Sequence, residues 1–216
     1  MTDVRARYKR LFDSGDSTDR IEFFSDAVFA IAMTLLVLDI AVPASRDHLL
    51  DSLLDLVPEV FAYVLSFVII GVNWAAHHRK FRVIERYDRT LINLNLVLLL
   101  FVAFVPFPTA LLSQYAEAPS VVLYAVSVAA MSVLQYLLWA HARRAGLMSA
   151  SVDHGVYRFV RRNLLITPAV FGVSIIIALL GYPLIAMYSW IALWPANVIS
   201  SRITRPKKDD LKPATS

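Results

Sequence analysis

The chain has 216 residues, of which 58% are hydrophobic and only 18% charged, below the roughly 25% charge of soluble domains; its mean hydropathy is +0.59. Drawn out in long apolar runs, that composition specifies a polytopic membrane protein of all-α class. The absence of cysteine excludes disulfides, thiol catalysis and cysteine metal sites, and the basic pI near 9.4 comes from Lys and Arg spread over separated loops, which argues against nucleic-acid binding.

Met1–Asp19 is polar and basic, with Arg5, Arg7, Lys9 and Arg10, and reads as a cytoplasmic lead-in or interfacial helix. The first apolar stretch follows at 21–42 and stops at Pro43. It is longer than a signal-peptide core and is interrupted by Asp39, so it reads as an uncleaved first span. An acidic loop with Asp47, Asp51 and Asp55 occupies 44–56. Span two covers Val57–Ala76 and opens near Pro58, a favoured helix-start residue; a basic junction, His77-His-Arg-Lys-Phe-Arg82, succeeds it. Span three covers Leu91–Leu112, where Pro106 and Pro108 should kink the helix or end it early. Span four is Ser120–Ala140. A polar, basic linker over 147–162, or an interfacial helix there, leads to span five at Asn163–Leu180. After the turn Gly181-Tyr-Pro183 comes span six, Leu184–Ser200, and then a charged tail expected to be disordered.

Lys and Arg number five before span one, one in loop one, five in loop two, none in loop three, five in loop four, none in loop five and five in the tail. That alternation puts both termini in the cytoplasm and makes the number of spans even; six fits. The expected organisation is a cytoplasmic segment at 1–20, a six-helix membrane unit at 21–200 and a cytoplasmic tail at 201–216. No internal repeat of the transporter kind relates the two halves.

Three groups of residues invite a functional reading. Arg20, Phe24, Ser25 and Asp26 start span one; Arg20 and Asp26 point to different sides of a helix and need partners on other helices. A polar knot at the cytoplasmic mouth is one explanation, and simple stabilisation of Asp26 by the helix N-terminus is the other. Ile31, Thr34, Leu35 and Leu38 share about a third of the helix circumference and form either a pore-lining seam or an ordinary packing stripe with Thr34 bonded to its own backbone. Asn73, Trp74, His77 and His78 end span two, either as receivers of the Ser25–Asp26 knot or as a Trp belt with a solvated His pair. Adjacent histidines diverge by about 100°, and no carboxylate cluster is evident near them, so no metal site is expected. Asn93 and Asn95 in span three, and Gln135 with Ser127 in span four, read first as polar packing. His141 and His154 read as isolated and solvent-facing. No catalytic triad, paired intramembrane aspartates or phosphate loop suggests an enzyme.

Arg20-x-x-x-Phe24-Ser25-Asp26 followed by Ala-Val-Phe-Ala-Ile-Ala-Met-Thr-Leu-Leu-Val-Leu-Asp-Ile resembles the prokaryotic branch of the transmembrane protein 175 family of potassium channels. Asn73-Trp-Ala-Ala-His-His78, Leu94-Asn95 and Phe104-Val-Pro-Phe-Pro-Thr109 extend the likeness through span three. The resemblance implies a homotetramer in the cell membrane with span one around a central pore and no carbonyl filter. It implies Ile31 as the narrowest ring, Leu35 and Leu38 extending the constriction, and Thr34 giving modest potassium preference. It further implies a structural network joining Ser25 and Asp26 to Asn73, Trp74, His77 and a span-three asparagine. No cofactor beyond the permeant K+ is expected, and the partners would be further copies of the chain, the bilayer and monovalent cations. The rival expectation is a proton-coupled or other secondary transporter using Asp26 and His77.

Overall fold

The computed structural model describes residues 14–15, 17–43 and 49–190. Helix α1 spans Asp19–Leu35, with Asp19 and Glu22 in its first turn, where carboxylates face the positive end of the helix dipole. Its last turn tightens into a 3-10 segment, Leu36–Asp39, and Ile40 is extended, so the helix is spent before Pro43. The acidic loop contains a short helix, α2, at Leu49–Asp55.

Helix α3 runs Val57–Phe81, five residues past the expected end at Ala76. His78, Arg79 and Lys80 occupy its last turn, where positive charge suits the carbonyl end, and Phe81 is buried. The basic junction is therefore mostly helix. Helix α4, Arg89–Phe104, is capped by Asp88, whose side chain accepts from the Leu91 amide at 2.7 Å. Val105 separates it from α5, Pro106–Gln114. Pro106 and Pro108 lack the N–H groups that would continue α4, so the apolar run breaks where expected.

Helix α6 is Ala118–Arg144 and α7 is His154–Leu179. The start of α7 decides between the linker and the interfacial helix expected over 147–162: from His154 the stretch is helix, continuous with the span expected to begin at Asn163. Asp153 accepts from the Val156 amide at 2.7 Å and caps a helix that then runs unbroken into the apolar stretch. Helix α8 is Pro183–Ser189. The rest of the expected sixth span, the tail and the first 13 residues lie outside the described residues. A two-residue strand β1, Ser14–Gly15, pairs antiparallel with β2, Tyr87–Asp88. A Cβ on Gly15 would sit 2.6 Å from the Tyr87 ring, so a side chain there would have to displace that ring.

Among the described residues, five helical stretches are long and apolar enough to cross a membrane: Asp19–Asp39, Val57–Phe81, Arg89–Gln114, Ala118–Arg144 and His154–Leu179. The protein is thus a mostly helical, multi-pass membrane protein. Half of the apolar window of α6 is buried within the chain, against 22% for α1, so α6 is the central post and α1 is largely uncovered. Helix α6 packs on α4, α5 and α7, whereas α1 rests on α3 and α4. The main core joins Phe29, Leu36, Ile70, Leu98, Tyr124 and Phe171. A smaller cluster of Phe81, Ile84, Leu91, Leu138 and Leu147 closes the end where the helices meet the short strands.

Candidate functional site: two faces of the first helix

Helical periodicity divides α1 into two faces. Ser25, Phe29, Ala32 and Leu36 are each no more than 1% exposed. Ile31 is 58% exposed and Leu38 is 74% exposed, and Phe23, Phe24, Ala27, Ala30, Thr34 and Leu35 share that open side. No described residue of the chain covers the seam of Ile31, Thr34, Leu35 and Leu38. The Thr34 hydroxyl donates to the Ile31 carbonyl at 2.9 Å, which turns its proton inward along the helix and leaves oxygen lone pairs outward.

The covered face is tied down by polar bonds. The Ser25 hydroxyl donates to the Ile21 carbonyl at 2.7 Å and accepts from Asn95 Nδ2 at 2.9 Å. Asn95 Oδ1 lies 2.8 Å from His77 Nε2. Because the Asn95 oxygen can only accept, His77 donates from Nε2, and the protons point one way along the chain from His77 to Asn95 to Ser25. The His77 ring stacks on Phe81 at 4.4 Å and lies against Phe29 at 5.5 Å. Beside this chain, Trp74 Nε1 donates to Asp26 Oδ1 at 2.8 Å, and His78 Nδ1 lies 2.8 Å from Glu22 Oε1.

Several sequence expectations change here. Asn95, not Asn93, bridges α1 and α3; Asn93 is exposed. Two residues apart on a helix means about 200° of rotation, so only one of the pair can face the bundle. Asn73 does not join Ser25 or Asp26. It donates to the Ile69 carbonyl at 2.9 Å, and Gln135 Nε2 donates to the Asn73 backbone carbonyl at 2.9 Å and to Oδ1 at 3.3 Å. Gln135 Oε1 in turn accepts from the buried Lys80 Nζ. Gln135 is therefore a joint between α3 and α6 and more than polar filler. Arg20 and Phe24 are exposed and line a groove of about 310 Å³ with Ile21, Ile92, Asn95 and Leu96. His77 is 1% exposed, so the two histidines are no solvated pair. His141 is not isolated: its Nε2 reaches both Asp88 carboxylate oxygens, at 2.8 and 3.0 Å. His154 Nδ1 accepts from Arg143 at 3.1 Å.

Deeper in the apolar layer, the Thr109 hydroxyl lies 2.9 Å from Ser66 Oγ, and Ser66 Oγ lies 3.0 Å from the Tyr124 hydroxyl. Thr109 belongs to the Pro-Phe-Pro-Thr run, and its hydroxyl is also 2.9 Å from the Val105 carbonyl at the helix break.

A protein of Streptomyces collinus named as a potassium channel is 37% identical over 188 residues, covering 83% of this chain and 91% of that protein. The family model, described as endosomal/lysosomal potassium channel TMEM175, matches residues 20–106, the stretch holding α1, α3, α4 and the polar chain between them. The chain belongs to the TMEM175 family. A crystal structure described as a lysosomal potassium-selective channel TMEM175 homolog from Chamaesiphon minutus superposes with a TM-score of 0.72 at 32% identity, covering 88% of this chain and 98% of that one. The TMEM175 likeness therefore continues through α6 and α7, beyond the motif-bearing helices. A vertebrate TMEM175 from Gallus gallus, named as an endosomal/lysosomal proton channel, is 35% identical over 141 residues; the match spans 58% of this chain and 28% of that protein. These relatives are named as ion channels and none as an enzyme.

Proposed function

We propose that the chain is a potassium-preferring, leak-like cation channel, in which four copies surround a pore lined by α1. The observation that carries this reading is the uncovered seam of Ile31, Thr34, Leu35 and Leu38 on a helix whose opposite face is fully engaged. The described residues of one chain leave that seam bare; a fourfold assembly would give it a role. The naming of the bacterial relatives as potassium channels supports the ion.

The physics follows from the residues. Rings of Ile31, Leu35 and Leu38 make an apolar neck, which gates by expelling water when narrow and conducts when α1 tilts or turns. Thr34 places hydroxyl oxygens beside that neck, enough for a modest preference for potassium over sodium without a cage of backbone carbonyls. The distribution of Lys and Arg supports a reading with both termini in the cytoplasm and hence an even number of spans.

The test is ion flux into liposomes holding the purified protein, driven by potassium and then by sodium, for wild type and Ile31→Asn. An amide wets the neck, so flux should rise and selectivity loosen. Flux unchanged by Ile31→Asn would place the pore elsewhere. The rival carrier reading needs Asp26 and His77 free to exchange protons, and both are engaged, with Trp74 and Asn95 respectively. Because the vertebrate relative is named for protons, the same vesicles should carry a pH dye; proton flux without potassium flux would exchange one ion for the other and leave the pore assignment in place.

A further inference from the structure

We propose that Glu22, Asp26 and His78 form a binding site for a divalent transition-metal ion of the Zn2+ type, joining α1 to α3. One ligand atom from each of the three residues lies within 4.8 Å of the others. Glu22 and Asp26 are one helical turn apart on α1, and His78 comes from the end of α3. Sequence spacing hid this set, because the carboxylates that complete it lie more than 50 residues before the histidine. The neighbouring His77 has no share in it, since its ring faces Asn95.

Two details favour a metal over a plain ion pair. First, His78 Nδ1 is buried and has no hydrogen-bond partner, although Glu22 Oε1 is only 2.8 Å away. The carboxylate sits off the Nδ1 axis instead of in line with it, as two ligands sharing one ion do and a hydrogen-bonded ion pair does not. Second, the ligands are held by outer contacts of the kind metal sites use. Trp74 Nε1 donates to Asp26 Oδ1 at 2.8 Å and so orients that carboxylate. The Trp74 ring stacks on His78 at 5.7 Å and 28°, fixing the imidazole plane. The donor set of one imidazole nitrogen and two carboxylate oxygens suits Zn2+ or Mn2+, and its two negative charges balance the ion. With the His78 side chain 40% exposed, an ion can enter from solvent, and water can complete the coordination. Tetrahedral ligands stand about 3.3 Å apart at ordinary zinc distances, so small side-chain rotations close the site.

An ion here would pin the start of α1 to α3. If α1 lines the pore as proposed above, Zn2+ would slow its movement and lower potassium flux; that consequence rests on the channel reading, whereas binding does not. The deciding experiment is calorimetric titration of Zn2+ into the full-length protein in detergent, with any affinity tag removed. One ion per chain is expected for wild type and for His154→Gln. His78→Gln and Glu22→Gln should each abolish binding while eluting as wild type does on size exclusion. Trp74→Phe, which keeps the stack and loses the donor, should weaken binding by about 10–100-fold. Wild type that takes up no stoichiometric Zn2+, or binding that survives both His78→Gln and Glu22→Gln, overturns the site.

Discussion

Both faces of α1 are built mainly from apolar side chains, yet they are treated in opposite ways. The inward face is sealed by Phe29, Ala32 and Leu36 and anchored by Ser25 through Asn95 to His77. The outward face presents Ile31, Thr34, Leu35 and Leu38 to none of the described residues of other elements. Apolar side chains facing lipid gain little by burial against one another, so hydrophobicity alone does not decide which side turns in. Hydrogen-bonding groups decide it, because each one left unpaired in a membrane costs several kcal/mol. Polar side chains thus orient α1, and the apolar seam is left free for another task.

Substitutions on the two faces should therefore be read by different instruments. The largest loss of stability is expected behind the sealed face, at the joint between α3 and α6. Gln135→Leu removes the partner of the buried Lys80 amine and the donor to Asn73, costing about 3 kcal/mol and lowering the melting temperature by about 6 °C or more. Asn95→Leu cuts the bonds to Ser25 and His77 together, for about 2 kcal/mol, whereas Asn93→Leu should stay within about 0.5 kcal/mol of wild type. Equal losses at both asparagines would remove the basis for assigning the bridge to Asn95.

On the outward face, Ile31→Asn should leave the melting temperature unchanged and raise potassium flux about tenfold, which corresponds to about 1.4 kcal/mol off a barrier. Melting together with Asn95→Leu would mean that the seam is packing surface. The smallest effect is expected for Thr34→Val, which keeps the shape and loses the hydroxyl. Reversal potentials in mixed potassium and sodium should show a selectivity ratio reduced a few-fold with flux retained.

The sequence makes the spans legible because hydropathy and length read one helix at a time. Pro106 and Pro108 announced the break after Phe104 for the same local reason. What stayed hidden depends on helical phase and on partners remote in the chain. Lys80 reads as part of a solvated junction until Gln135, 55 residues away, is seen beneath it. Asn93 and Asn95 are equivalent letters until the rotation of α4 is known. His78 finds its carboxylates only when α1 and α3 are laid side by side. The start of α7 was obscured because Arg158, Arg161 and Arg162 lower the hydropathy of turns that Asp153 nonetheless caps.

The absence of cysteine from the chain makes one measurement especially direct. Leu38→Cys and Ala32→Cys each create a single thiol, the first on the open seam and the second on the sealed face. Potassium flux should be followed while a membrane-impermeant, water-soluble thiol reagent is added to the vesicles. Rapid modification and block are expected for Leu38→Cys, and no change for Ala32→Cys. A Leu38→Cys protein that conducts and never reacts would contradict the claim that the free face of α1 meets water in a pore.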